Sequence, residues 1–367
     1  MLQDTFKRLP FPQNAIFKYT SAMAVGIVIT AGQLNAATAA PPSFSQPYES
    51  FSSYTTINPV NGDSTDIYFP TVDSDSDSVM PVDDLPIVLL LQGAFVDKGF
   101  YSDYASQVAR YGFAVAVPNH FKTVPGFGDV LASDTSQIQA TIDQFIAESN
   151  DASSPLRGKV DPQKLGLLGH SIGGAAGLAG IGEICTIQVC SEPFERPEAL
   201  LGGAFFGANL RDQNNVFLPI DNEGIGIALI QGTQDGRALP VSAANTLEQI
   251  QAPPKALVTL DGVNHFGITN VNMPEGTIPD PNQQTRSQAA SIETIARWSG
   301  LFLRGTLLED QAALDYVFSN GDGLDPIVTS VVGERMNEQA TPIPEPASLM
   351  GVGGGLLSMI VLKKRTA

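Results

Sequence analysis

The sequence predicts an α/β protein: a mostly parallel central sheet with helices on both faces and an antiparallel meander at its N-terminal side. Three observations carry that expectation. Continuous apolar runs such as Ile87-Val88-Leu89-Leu90-Leu91 read as strands buried on both faces. Segments with apolar residues at helical spacing, such as Ile138, Ile142, Phe145 and Ile146, alternate with those runs. Early polar-apolar stretches at 53–56 and 65–69 look like meander strands. Strands that alternate with helices imply parallel strands joined by helical crossovers.

Taken in order, strands are expected at 87–91, 113–118, 165–168, 199–206, 225–230 and 256–260. Helices are expected at 100–110, 135–148, 175–184, 241–250 and 287–303. No internal repeat is visible, so residues 45–320 should form one domain, followed by a linker over 321–341. The loop after the meander is crowded with Asp73, Asp75, Asp77, Asp83 and Asp84. Such oxygens can bind calcium, but no helix-loop-helix frame or twelfth-position Glu accompanies them. A solvated acidic loop is the expectation, there and at Asp322 and Asp325.

Composition excludes several classes. With 43% hydrophobic and 16% charged residues the chain is too apolar for disorder. A net charge of −18 argues against nucleic acid as a partner. No central apolar run of about 20 residues is present, which excludes a polytopic membrane protein. Two cysteines are too few for a disulfide scaffold or a four-Cys zinc site. No metal cluster, phosphate loop or dinucleotide fingerprint is found, so neither metal nor cofactor is expected.

Both ends read as addresses. Residues 1–40 carry Lys7, Arg8 and Lys18, an apolar stretch over 22–32, and the small residues Ala36-Ala37-Thr38-Ala39-Ala40. This is the three-part secretory pattern, cut by signal peptidase; an uncleaved N-terminal anchor is the alternative. At the other end, Pro344-Glu345-Pro346 leads into an uncharged segment, 347–362, closed by Lys363-Lys364-Arg365. As a helix that segment would rise about 24 Å, short of the ~30 Å hydrocarbon core. The order over 342–367 resembles the PEP-CTERM sorting signal, which an exosortase recognises and removes; a plain C-terminal anchor is the alternative. The expectation is an exported protein of the periplasm, cell surface or medium, held transiently in the membrane by its tail. In an oxidising compartment Cys185 and Cys190 become disulfide candidates, against the alternative of two buried thiols.

The strongest chemical signal is Gly169-His170-Ser171-Ile172-Gly173, placed after an apolar strand and before an Ala/Gly-rich helix. That context suits a nucleophile elbow, a sharp turn that lifts the Ser171 hydroxyl above the sheet edge. A serine hydroxyl needs a base to take its proton. Of the three histidines, His120 precedes Ser171 and His170 is its neighbour, which leaves His265, after the strand 256–260. The acid should fall between them at a strand end. Asp235 does so; Asp261 is the rival, and Asp212 and Asp221 have no strand leading into them. An oxyanion would be held by backbone N–H groups: Ile172, the residue after the nucleophile, and Phe95 in the loop Gln92-Gly93-Ala94-Phe95, with Ala94 as the fallback.

Leu89-Leu90-Leu91-Gln92-Gly93, Phe100-Tyr101-Ser102, Tyr111-Gly112-Phe113-Ala114-Val115-Ala116-Val117-Pro118 and Gly169-His170-Ser171-Ile172-Gly173-Gly174 together resemble the chlorophyllase branch of the α/β-hydrolases, of cyanobacterial and bacterial type. The resemblance is closest over residues 85–180. It implies a serine carboxylic-ester hydrolase that forms an acyl-enzyme and splits chlorophyll into chlorophyllide and phytol. Two positions depart from the plant pattern: Ile172 stands where that branch has arginine, and Gln92 where it has histidine. The segment 232–240 looks instead like secreted esterases, lipases and cutinase-type polyester hydrolases, the alternative reading. A second alternative is a non-catalytic surface protein on the same fold. A hydrophobic ester needs an apolar cleft, with Phe95 and Phe266 as first candidates for its wall and Phe100, Tyr101, Phe121, Phe127, Phe205 and Phe206 behind them. Residues 182–197 could form a lid. Oligomeric state is not legible.

Overall fold

A computed structural model describes residues 45–72, 82–124, 128–186 and 189–335. The strands are β1 (Ser50–Ile57), β2 (Ser64–Thr71), β3 (Leu85–Leu91), β4 (Ala114–Asn119), β5 (Phe121–Val124), β6 (Gly128–Leu131), β7 (Val160–His170), β8 (Leu200–Phe206), β9 (Gly226–Gly232), β10 (Lys255–Leu260) and β11 (Val328–Glu334). The principal helices are α1 (Ser102–Ala109), α2 (Ser136–Asn150), α3 (Ile172–Ile181), α4 (Pro240–Gln249) and α5 (Gln288–Leu307). Nine strands form one sheet in the order β1-β2-β4-β3-β7-β8-β9-β10-β11. The pairs from β4 through β10 are parallel; β1–β2, β2–β4 and β10–β11 are antiparallel. This is the α/β-hydrolase fold with an N-terminal antiparallel meander.

All seven residues of β3 and all seven of β9 are buried. The reason is coverage on two sides. Val88 and Leu90 face a core shared with Tyr104 and Val108 of α1 and Trp298 and Phe302 of α5. Ile87, Leu89 and Leu91 face a second core with Ile138 and Phe145 of α2 and Leu178 of α3. The period of two in the strand thus sorts its side chains between two helix layers. Helix α3 is buried at nine of its ten residues, which explains why it is apolar all round.

Two expected boundaries shift. The 321–341 segment was expected to be a linker, but Gly321–Leu324 is helical and β11 closes the sheet edge against β10. The folded domain therefore runs past residue 320, to Glu334 at least. Asp325 is not solvated: it is buried, accepts from Trp298 Nε1 at 3.2 Å, and pairs with Arg297 at 2.6 Å. The second shift is the short strand expected at 165–168, which is the eleven-residue β7, separated from α3 by Ser171 alone. The hairpin β5–β6 carries no strand pattern legible in the sequence. The expected export segment 1–40, the tail 342–367, Asp73, Asp75, Asp77 and Phe127 lie outside the described residues. Among the described residues no helix is long and apolar enough to cross a membrane.

Candidate active site

The functional candidates converge at the C-terminal ends of the parallel strands. Ser171 sits at the junction of β7 and α3 with φ 56° and ψ −121°. A non-glycine residue held there costs on the order of 1–3 kcal/mol, which the surroundings must enforce. They do so through two hydrogen bonds: the Ser171 N–H donates to Phe206 O at 3.0 Å, and Ala175 N–H donates to Ser171 O at 3.1 Å. The turn also needs Gly173, because a Cβ there would lie 2.1 Å from the Leu91 carbonyl oxygen.

Asp235 follows β9 and His265 follows β10. Their contact is short and buried: His265 Nδ1 lies 2.9 Å from Asp235 Oδ2, with side chains 6% and 0% exposed. The other carboxylate oxygen, Oδ1, accepts the N–H groups of Arg237 at 2.9 Å and Ala238 at 2.7 Å. That division leaves Oδ2 for the imidazole and fixes the Nδ1–H tautomer, so Nε2 carries the lone pair. Gly207, at φ 57°, makes room for the pair: a Cβ would stand 2.8 Å from Asp235 Oδ2 and 3.1 Å from His265 Nδ1. The rival Asp261 is half exposed and engaged by the Arg286 guanidinium, away from the imidazole.

Three groups that brace this arrangement were not foreseen in these roles. Asp280 is buried and accepts His265 N–H at 2.8 Å, Asn282 N–H at 2.8 Å and Gly236 N–H at 3.1 Å, so one carboxylate ties the acid loop to the histidine loop. It follows no strand, and its signal in the sequence is nil. His170 is fully buried. The Gly93 N–H donates to Tyr101 Oη at 2.8 Å, Tyr101 Oη lies 2.9 Å from His170 Nδ1, and His170 Nε2 lies 2.9 Å from His265 O. The backbone carbonyl can only accept, so Nε2 carries the His170 proton and Tyr101 donates to Nδ1. Burial first, and the neighbouring His265 second, hold the His170 pKa well below its ordinary value. Tyr101 is therefore a buried strut rather than a cleft wall.

The expected oxyanion donor Phe95 is corrected. Its N–H already donates to Leu131 O at 2.9 Å, on the hairpin strand β6, and Phe95 itself adopts φ 64°. The N–H groups of Ala94 and Ile172 have no acceptor among the described residues. The fallback Ala94 is thus the available donor of that loop, beside Ile172 at the start of α3.

Two cavities flank Ser171. One, of about 130 Å³, is lined by Ser171, His265, Phe95, Val96, Phe266 and Ile278 among others. Phe95 and Phe266 therefore both face it. Phe205 and Phe206 are buried in the sheet, and Phe121 is exposed elsewhere. The second, of about 240 Å³, is lined by Ser171, Ile172, Thr186, Val189, Asn209, Arg211 and Arg237 among others. Thr186 and Val189 belong to the 182–197 segment, where Cys185 and Cys190 form a disulfide with Cα atoms 5.0 Å apart. Among the described residues no group of three or more His, Cys, Asp or Glu could hold a metal ion.

The scaffold is of the α/β-hydrolase class, with the candidate residues gathered at its strand ends. No family model matches the chain. A stretch of 104 residues is 28% identical to Chlorophyllase-1 of Arabidopsis thaliana; it covers 28% of this chain and 31% of that protein. The chain thus matches about a third of the relative's length, and the similarity supports an ester hydrolase at a coarse level.

Proposed function

We propose that the protein is a serine carboxylic-ester hydrolase working through an acyl-enzyme. The observation that carries the reading is the buried 2.9 Å contact of His265 Nδ1 with Asp235, in a cavity that His265 shares with the strained Ser171. In this reading His265 Nε2 takes the Ser171 proton as Oγ attacks the ester carbonyl carbon. The N–H groups of Ala94 and Ile172 stabilise the oxyanion. The carbon–alkoxy bond then breaks, and His265 returns the proton to the departing alcohol. Water, activated by the same imidazole, cleaves the acyl-enzyme and frees the acid. Asp235 holds the tautomer and stabilises the imidazolium.

The phytyl ester of chlorophyll is the first substrate that the similarity suggests. Smaller secreted-esterase substrates are the second reading, favoured by the modest size and polar lining of the 240 Å³ cavity. We also propose that the protein is exported, with residues 1–40 and the 342–367 tail as its processing signals. A fluorophosphonate probe tests the chemistry: covalent labelling that disappears in a folded Ser171→Ala variant is expected. Labelling that persists in that variant overturns the nucleophile. Absence of labelling in the native protein favours the non-catalytic alternative.

A further inference from the structure

We infer that the ester this site accepts carries a carboxylate on its acyl half, held by Arg211 and Arg237 in the cavity beside Ser171; this rests on the ester-hydrolase reading above. The chain is strongly acidic, at −18, and most of its described arginines are consumed by it. Arg196, Arg286, Arg297, Arg304 and Arg335 all pair with carboxylates. Arg110, Arg157, Arg211 and Arg237 have no carboxylate partner among the described residues; of these Arg211 and Arg237 line the 240 Å³ cavity with the nucleophile, Arg237 bordering the His265 cavity as well and Arg211 this one alone. Two cations against the single carboxylate Asp212 leave this wall net positive, a local field for an anionic group on a protein with excess anions.

Arg211 is also oriented in advance. Its Nε donates to Asn209 Oδ1 at 2.8 Å, and its guanidinium lies 5.4 Å from the Phe217 ring centroid. Anchored at Nε and at one face, it keeps both terminal nitrogens for a ligand, the geometry suited to a two-point grip on a carboxylate. The one carboxylate in that wall, Asp212, is taken up by its own loop: it accepts Asn214 N–H at 2.8 Å and Val216 N–H at 2.9 Å. The Val216 hydrogen bond first, and those from Asn214 after it, hold its pKa below the ordinary range, and its one negative charge stands against two positive ones.

Chemistry assigns the arms. The leaving oxygen must receive its proton from His265, so the alcohol half runs along the His265 cavity, walled by Phe95, Phe266 and Ile278. The acyl half is left with the other cavity, where Arg211 stands. The substrate class is therefore a monoester of a short dicarboxylic acid with an apolar alcohol. Hydrolysis breaks only the acyl carbon–alkoxy bond; the distal carboxylate is recognised and unchanged.

The test uses the full chain and compares kcat/KM for monohexyl adipate, for hexyl heptanoate, and for the hexanoyl ester of 6-hydroxyhexanoate, which carries the charge on the alcohol half. Monohexyl adipate should exceed hexyl heptanoate by about tenfold or more, as a charge-assisted pair allows. Arg211→Gln should bring that ratio close to one, and Arg211→Lys should restore part of it. If Arg211→Gln fails to fold by circular dichroism, Asn209→Ala, which frees the Arg211 Nε from its anchor, should lower the same ratio. Turnover of the neutral ester without preference for the adipate overturns this proposal alone, as does a preference for the ester charged on its alcohol half. Turnover on no ester, with Ser171 unlabelled by fluorophosphonate, removes the ester-hydrolase reading and this proposal with it.

Discussion

The ring of His170 holds the main-chain carbonyl of His265 at 2.9 Å, so the residue beside the proposed nucleophile props the loop that carries the proposed base. Through Tyr101 the same ring reaches the N–H of Gly93, in the loop of the proposed oxyanion donor Ala94. Three loops from three strand ends are thereby set by one neutral imidazole.

That imidazole has a pH consequence. An unfolded histidine titrates near 6.5, whereas His170 in the fold resists protonation far below that. Above pH 6.5 both states are neutral and pH is without effect through this group. Below it the unfolded chain binds a proton that the fold refuses, so stability falls as pH falls, by up to about 1.4 kcal/mol per unit. Urea unfolding of the native protein and of His170→Phe at pH 7, 6 and 5 should show the native protein losing ground to the variant at the acid end. Parallel pH curves for the two would remove the argument.

Asp235 and Asp261 should separate sharply. Loss of the carboxylate that orients a catalytic histidine costs on the order of 10⁴ in turnover in the serine-protease case. Asp235→Asn should cost thousands-fold on a short acyl ester, with KM little changed. Asp261→Asn breaks only a half-exposed ion pair with Arg286 and should cost less than about tenfold. Turnover at matched folded fraction decides, and the reverse ranking would transfer the acid's role.

Gly207→Ala tests the space left for the acid and base. The added methyl would press on Asp235 Oδ2 and His265 Nδ1 from within 3.1 Å, at a φ of 57° that alanine adopts poorly. Turnover should drop by about a hundredfold or more, while stability falls by only about 1 kcal/mol from the backbone term. Unimpaired turnover in a folded variant would mean the pair relaxes freely.

The domain boundary can be checked by truncation. A chain ending at 320 loses β11 and Asp325, and leaves the buried Arg297 with Glu293 alone. Loss of the buried partner from such a pair costs about 3–5 kcal/mol, and the exposed Glu293 offsets little of it. Denaturant unfolding should therefore show the 45–320 chain at least that much weaker than the 45–336 chain, or unfolded. Equal midpoints would restore the linker.

How much of this could be read beforehand followed the range of each interaction. The meander, the parallel strands and their helices were legible because a period of two or of 3.6 is written in neighbouring residues. Strand β11 was not: five of its seven residues are exposed, so an edge strand with one covered side leaves almost no apolar pattern. The hairpin β5–β6 was likewise silent, and it is that hairpin's Leu131 carbonyl that removes Phe95 from the oxyanion role.

By itself, then, the sequence determined what is local or scarce. Gly169 to Gly173 between a strand and a helix marks the elbow because its steric demands fall on adjacent residues, and three histidines in 367 residues leave little choice of base. The tertiary structure decided what depends on which strand ends meet. Asp235 rather than Asp261 faces His265, Ala94 rather than Phe95 keeps a free N–H, and Asp280, Tyr101 and His170 brace the loops. Those outcomes hang on hydrogen bonds of 2.8–2.9 Å between residues 15 to 69 positions apart, and such contacts exist only once the sheet has assembled.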